Sequence, residues 1–365
     1  MNQKLRKTAF FLLALLTAFV LFAEPELCAD SLCEGLQLCG GALLVSLFPF
    51  LIVSALVIQC GAGKTLGFLF WPVLRLIGIR TKNAGGVLLV GLLGGFAPAA
   101  SAAAEAVRTG QLTAKEASVL LPACVCSGPS FVILTVGEDL LGSRPLGVWL
   151  FASQLLAGYL SAALLNRLCG SHRPEEAAKE LPSDATEPLP GLDVLIAQAA
   201  VTYLKLCGFV LYFRLLAAGT GALLPEKLAL LPAILLEVCS GCDYASRTGW
   251  WASTLCCAAL SLQGISVLLQ VRTICPAEVS LRPLLAARIV HLPLSLALFH
   301  LGIPQRTAEA FSTLSERVVI MRRVPLECAL VAFCVCCMTA WELRQRFQPH
   351  SPAPRPQPAA ASKTG

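Results

Sequence analysis

Two short segments in the first half of the chain stand out chemically: Gly94-Gly95-Phe96-Ala97-Pro98-Ala99-Ala100-Ser101 and Ser127-Gly128-Pro129-Ser130. Proline lacks an N–H and clashes with the preceding helical turn, and glycine loosens the backbone. Each segment is therefore expected to break a helix and release carbonyl and N–H groups. Ser101, Ser127 and Ser130 add hydroxyls at the same places. In an apolar surrounding, such groups must be buried in protein or line a wet cavity. That is one way to hold a polar solute or an ion at mid-membrane. The competing reading is a kink with close helix packing, which Gly91 and Gly95 also suit as a small-xxx-small pair.

The second half has counterparts. Glu237-Val238-Cys239-Ser240-Gly241-Cys242-Asp243 falls where the first half has Gly94–Ser101. Gln263-Gly264-Ile265-Ser266, with Gln270, falls where the first half has Ser127–Ser130. Glu237 follows Leu-Leu-Pro-Ala-Ile-Leu-Leu and is placed within an apolar layer. An ionisable group there is costly and is by default a functional candidate. The alternative is a carboxyl near the interface or paired with an arginine. Glu105 and Asp243 lie nearer to loops and read as solvated end charges. The candidate solute contacts are Ser101, Ser127, Gly128, Pro129, Ser130, Glu237, Ser240, Gln263, Gly264, Ser266 and Gln270.

Other patterns fall short of a site. Gly61-Ala62-Gly63-Lys64-Thr65 ends like a phosphate loop, but Ile58 replaces the required earlier glycine. Cys239 and Cys242 have metal-ligand spacing without a second ligand pair. His291 and His300 are nine residues apart, about 180° around one helix, so they face opposite ways. With no visible set of acid, base and nucleophile, neither an enzyme nor a bound metal or cofactor is expected.

The elements that must position these residues are apolar helices. Of 365 residues, 56% are hydrophobic and 14% charged, against about 25% charged in soluble domains. Mean hydropathy is +0.73. Runs of about 20 apolar residues recur, and the dyad alternation of a barrel is absent, which predicts an all-α polytopic membrane protein. The net charge of +6 is scattered over short connections, so nucleic acid is not an expected partner. The lipid bilayer is. Most of the 17 cysteines lie in apolar runs and read as small buried residues. Cys28, Cys33 and Cys39 sit in a segment expected to be a polar loop, where spacing alone assigns no disulfide.

Along the chain, residues 1–40 read as an N-terminal anchor and a polar loop, a cleaved signal peptide being the rival. The basic start and the acidic stretch after Ala23 place the N-terminus in the cytoplasm. Residues 41–168 form a first repeat. It holds a span at about 41–59, an interfacial helix at 66–80, a Gly/Pro-interrupted pair at 84–104 and 117–137, and a span at 146–168. The interrupted pair reads as two spans or as one re-entrant hairpin. A polar linker covers 169–191. A second repeat occupies 192–302, with spans at 192–218 and 284–301 flanking an interrupted pair at 228–242 and 250–274. An amphipathic stretch and a last span fill 303–347, and a disordered tail 348–365. Repeated interruptions at matching places are a sequence mark of transporters whose sites lie where broken helices meet.

Several segments in this order resemble a known family. They are Leu47-Phe48-Pro49-Phe50-Leu51-Ile52-Val53-Ser54, the Gly94–Ser101 break, and Gly110-Gln111-Leu112-Thr113 with Glu116-Ala117. Ser127-Gly128-Pro129, Gln263-Gly264-Ile265-Ser266-Val267 with Gln270, and Arg282-Pro283 followed by Ala287-Arg288-Ile289-Val290-His291 complete the series. Together they resemble the sporulation integral membrane proteins of the Gate, or nucleoside-recognition, superfamily, over roughly residues 40–300. Val125, Cys126 and Leu268 depart from that pattern, which has polar residues at the first two positions and His at the third. The resemblance implies two Gate-like repeats with broken or re-entrant helices, and relatives among nucleoside and ferrous-iron transporters. It also implies a link to endospore cortex formation. The expectation is a cell-membrane protein that handles a small polar solute or ion, as a homo-oligomer or alongside other sporulation membrane proteins. The alternative is a non-transporting scaffold for sporulation or envelope assembly.

Overall fold

A computed structural model describes residues 3–59, 67–168, 191–225 and 228–302 of the chain. The described residues form helices joined by short connections, with no strand among them. The Gly61–Thr65 segment, the polar linker, the amphipathic stretch, the expected last span and the tail lie outside the described residues, apart from Gly191.

Helix α1 (Gln3–Ala23) meets α2 (Pro25–Leu38) at a bend of 106°. Residues 24–38, expected as a polar loop, are thus helical. Pro25 stands at the first position of α2, where its missing N–H costs nothing. Cys28, Cys33 and Cys39 are free thiols, and two of them are buried. A π-wound turn (Cys39–Leu43) leads into α3 (Leu44–Gln59). The expected interfacial segment is a 3₁₀ turn (Gly67–Phe70) followed by α4 (Trp71–Ile77). It packs closely: a Cβ on Gly85 would lie 2.2 Å from the Gly67 carbonyl oxygen.

Next come α5 (Ala84–Gly94), α6 (Phe96–Arg108), α7 (Ala114–Cys124), the π-wound α8 (Ser130–Leu140) and the long α9 (Arg144–Leu168). After the linker follow α10 (Leu192–Ala222), α11 (Leu230–Leu236), α12 (Val238–Ser246), α13 (Ala252–Leu262), α14 (Gly264–Ile274) and α15 (Arg282–Gly302). Among the described residues, four stretches are long and apolar enough to cross a membrane: 144–168, 192–222, 249–274 and 282–302. The bent α1–α2 pair makes a fifth if counted as one span. Phe10, Phe11, Phe19 and Phe22 on α1, and Leu285, Ile289 and Leu301 on α15, are exposed. Such surfaces suit lipid rather than water. The chain is a polytopic all-α membrane protein.

Each run of the two interrupted pairs is itself broken, the first run of each pair in one way and the second in another. α5 and α6 fold back on one another, since a Cβ on Gly91 would touch the Ala99 side chain at 3.2 Å, eight residues on. In a continuous helix that separation is about 12 Å. α11 and α12 do the same: a Cβ on Gly241 would lie 3.0 Å from the Ile234 Cα. Both are helical hairpins, with tips at Gly95 and Glu237. α7–α8 and α13–α14 are the other broken pairs, interrupted at residues 125–129 and at Gln263. Hairpin, broken helix and span therefore occur twice in the same order.

The contacts recur as well. α6 packs on α14 from the other half, and α12 packs on α8. α3 packs on α10, and α9 on α15. The buried core runs through both halves as one cluster, from Leu38 to Phe299.

Candidate functional site

Each break has its own local cause. At the first hairpin tip Gly95 takes φ +78°, ψ −159°, a conformation that residues with a side chain rarely adopt. Pro98 then sits in the first turn of α6, where the lack of an N–H is harmless. The second break follows from Ser127-Gly128-Pro129 ahead of α8. The second hairpin tip contains no glycine or proline. Glu237 is extended (φ −152°, ψ 129°), and its carboxylate accepts the N–H groups of Cys239 at 3.0 Å and Ser240 at 2.7 Å. It caps α12, which otherwise would leave those donors without partners. At the fourth break Gln263 holds φ +60°, left-handed despite its side chain, followed by Gly264 at φ +70°. Such a residue stores strain that its surroundings must hold.

The tips rest on the broken helices. A Cβ on Gly95 would lie 2.6 Å from the Gly128 nitrogen. A Cβ on Gly264 would lie 2.8 Å from the Glu237 nitrogen. Glycine at these places is what lets backbone meet backbone. A pocket opens where the breaks gather. Gly94, Phe96, Ala97 and Pro98 of the first tip line it, with Ser127, Gly128 and Phe131 of the second break. Glu237, Val238 and Cys239 come from the second tip, and Val267 and Gln270 from α14. Leu47 and Leu51 of α3 and Leu206 and Val210 of α10 close the sides. The wall is mostly apolar, and Glu237 is the one carboxylate among its described residues.

The sequence candidates thus separate. Ser127, Gly128, Glu237 and Gln270 face the pocket. Ser266 is buried and accepts from Gln270 Nε2 at 3.1 Å, so it orients that amide. Ser240 is buried; its hydroxyl lies beside the Glu237 carboxylate without a hydrogen bond of normal geometry. Ser130 is buried and its hydroxyl has no partner among the described residues. Pro129 is half-buried at the start of α8, and Gly264 is used in packing against Glu237. Ser101 is exposed on α6 and does not line the pocket. Gln263 turns away from it, toward α15.

What it meets there is Arg288. This guanidinium is 7% exposed and donates to Val125 O at 2.6 Å, Ser261 O at 3.2 Å and Gln263 Oε1 at 3.0 Å. It therefore joins the second break to the fourth. Val125 caps the C-terminus of α7, and Ser261 lies in the last turn of α13. The negative ends of two helix dipoles face one cation, while Glu237 occupies the positive end of α12. No carboxylate pairs with Arg288 among the described residues.

Below Arg288 the same face of α15 carries His291 and Ser295. His291 Nε2 lies 3.0 Å from Gln154 O, Ser295 Oγ lies 2.5 Å from Ser261 Oγ, and Gln154 Nε2 donates to Ser261 Oγ at 3.0 Å. This polar seam fastens α9, α13 and α15. His300 is exposed, on the other side of the helix from His291.

A second buried arginine anchors the other side. Arg214 of α10 is 1% exposed and donates to Asp243 at 2.7 Å and Glu34 at 2.5 Å, and Arg247 also reaches Asp243, at 2.9 Å. Asp243, expected as a solvated end charge, is instead buried in this network. The reason is its place on the inner face of α12, against α10. Glu105 is part-exposed and bridges Arg108. Sequence reasoning left both arginines out of the site, although each stands inside a long apolar run, a signal as strong as that of Glu237.

The chain is similar to the sporulation integral membrane protein YlbJ of Bacillus subtilis. The two are 31% identical over 185 residues, half of this chain and 43% of that protein. The chain thus spans less than half the length of the curated relative it matches. No family model matches the chain, and no solved structure matches it.

Proposed function

We propose that this chain is a transporter-like membrane protein that handles a small polar solute or ion in the pocket between the hairpin tips and broken helices. One observation carries the reading. Both halves contribute a hairpin tip and a broken helix to one cavity, and Ser127, Glu237 and Gln270 are polar residues in its otherwise mostly apolar lining. Paired interruptions around a central site are the arrangement of many secondary transporters. Resemblance to the Gate superfamily, and similarity to a sporulation integral membrane protein, support a role in endospore formation within the cell membrane.

Reconstitution into liposomes tests this reading. Uptake of at least one of a panel of nucleosides, amino acids and metal ions is expected to exceed that of a Glu237→Ala control by about tenfold or more. Uptake no greater than the control for every member would sink it.

A second reading, a non-transporting scaffold for sporulation or envelope assembly, draws on the same carboxylate. Glu237 already accepts two backbone N–H groups and so has a structural task. Rescue of a cortex defect by a chain with Ser127, Glu237 and Gln270 all replaced would favour it.

A further inference from the structure

Buried charge in the described chain is nearly all accounted for. Arg214 and Asp243 neutralise one another, with Glu34 and Arg247 at the rim. Arg288 faces the carbonyl ends of α7 and α13. Glu237 differs from both. It is 2% exposed, has no ion-pair partner among the described residues, and lines the pocket. Its carboxylate oxygens each accept one N–H, from Cys239 and Ser240, and the Cys239 thiol and Ser240 hydroxyl lie beside them, so every neighbour of the group is uncharged. The helix N-terminus offsets only about half a charge. Ionising a carboxyl buried without a cation is costly, and a positive guest beside it offsets that cost.

The rest of the wall narrows the class. Phe96 and Phe131 line the same space, and aromatic rings attract cations. Ser127 and the Gln270 amide offer further oxygens. A divalent metal ion would want about six or more oxygen ligands, and this wall supplies one carboxylate. Among the described residues no Lys, Arg or His lines the pocket, so an anion would meet a carboxylate with nothing to offset it. Resting on the pocket reading above, we propose that the guest is a monovalent organic cation: an ammonium group, held by Glu237, on a small apolar body seated among Phe96, Phe131 and the flanking leucines.

The test uses the full chain in detergent at pH 7 with three probes of one shape: benzylamine, benzyl alcohol and benzoate. Binding is read as the rise in melting temperature followed by tryptophan fluorescence. Benzylamine is expected to bind at least about tenfold more tightly than either of the others, and to lose that advantage in Glu237→Gln. Equal binding of benzoate or benzyl alcohol overturns the proposal, as does undiminished benzylamine binding by Glu237→Gln or no binding of any probe. Gln270→Glu provides a second arm should Glu237→Gln fail to fold. A second carboxylate on the wall is expected to tighten benzylamine severalfold, and an unchanged or weaker affinity counts against the cation. Liposome uptake separates this proposal from the transport reading. A neutral or anionic solute carried in a Glu237-dependent way keeps transport and removes the cation. Benzylamine bound but no solute carried does the reverse.

Discussion

Arg288 donates a hydrogen bond to the carbonyl oxygen of Val125 at 2.6 Å, although 163 residues separate them along the chain. The same side chain reaches Ser261 and Gln263. One guanidinium thus sets the spacing of two helix breaks from opposite halves. Its fork of donors is pre-organised for several acceptors, which a lysine ammonium cannot reproduce. Truncation to alanine strips three buried oxygens of their donor, at about 1–3 kcal/mol for each acceptor left without a partner. Arg288→Ala is expected to lower stability by at least about 3 kcal/mol, and Arg288→Lys to recover less than half of the loss. Unfolding by SDS in mixed micelles measures both. A lysine variant as stable as the parent would show that only the charge matters.

The contact between Gly95 and Gly128 leaves no room for a methyl group. Gly95→Ala must both adopt a positive φ and place its Cβ 2.6 Å from a backbone nitrogen. A cost of at least about 2 kcal/mol is expected. Gly208, in the middle of α10, has nothing within 4 Å of the place a Cβ would take, so Gly208→Ala supplies the control. It is expected to stabilise by up to about 1 kcal/mol through helix propensity. Equal melting temperatures for the two variants would remove the argument for a tightly packed hairpin tip.

Arg214 and Asp243 invite a double-mutant cycle. Removing either partner leaves a buried charge poorly matched, and such single changes cost about 3–5 kcal/mol. The rim groups Glu34 and Arg247 soften each loss, so the lower end of that range is expected. Arg214→Met combined with Asp243→Leu is expected to cost less than the sum of the singles by more than about 1 kcal/mol. Strict additivity would mean that the pair does not couple α10 to α12.

Thiol chemistry probes the packing of the described cysteines. Cys33 on α2 is half-buried, whereas Cys207, Cys256 and Cys257 are fully buried. Maleimide treatment in mild detergent, followed by peptide mass spectrometry, is expected to modify Cys33 first. The other three should react only after denaturation. Labelling of Cys257 at the rate of Cys33 would contradict the close packing of α13 in the core.

Much of this architecture was legible in the residues. Apolar runs marked the helices, and Gly-Pro punctuation marked the breaks at Gly95 and at residues 125–129. Glu237 and Gln263 were legible for another reason, as polar residues in apolar surroundings. The sequence allows two spans or one hairpin made of both runs, whereas the chain folds back within the first run alone, because the direction it takes after a break is not written in composition. The arginines were visible as charges in apolar runs, but their partners were not. Val125 illustrates why: its side chain departs from the family pattern, yet the atom that matters is its backbone oxygen, which every residue has. The helix from Pro25 to Leu38 is masked by composition, since its glutamates and aspartate read as loop and the partner of Glu34, Arg214, is 180 residues away.

The crossing of the two halves has a consequence for biosynthesis. α6 rests on α14, α12 rests on α8, and Val125 waits for a donor on α15. A nascent chain that has delivered only its first half to the membrane holds a hairpin tip and a broken helix with raw backbone edges and nothing to cover them. Such an intermediate depends on water, lipid headgroups or an insertion factor until residue 288 emerges from the ribosome. Halves expressed from separate genes should therefore survive proteolysis only when made together.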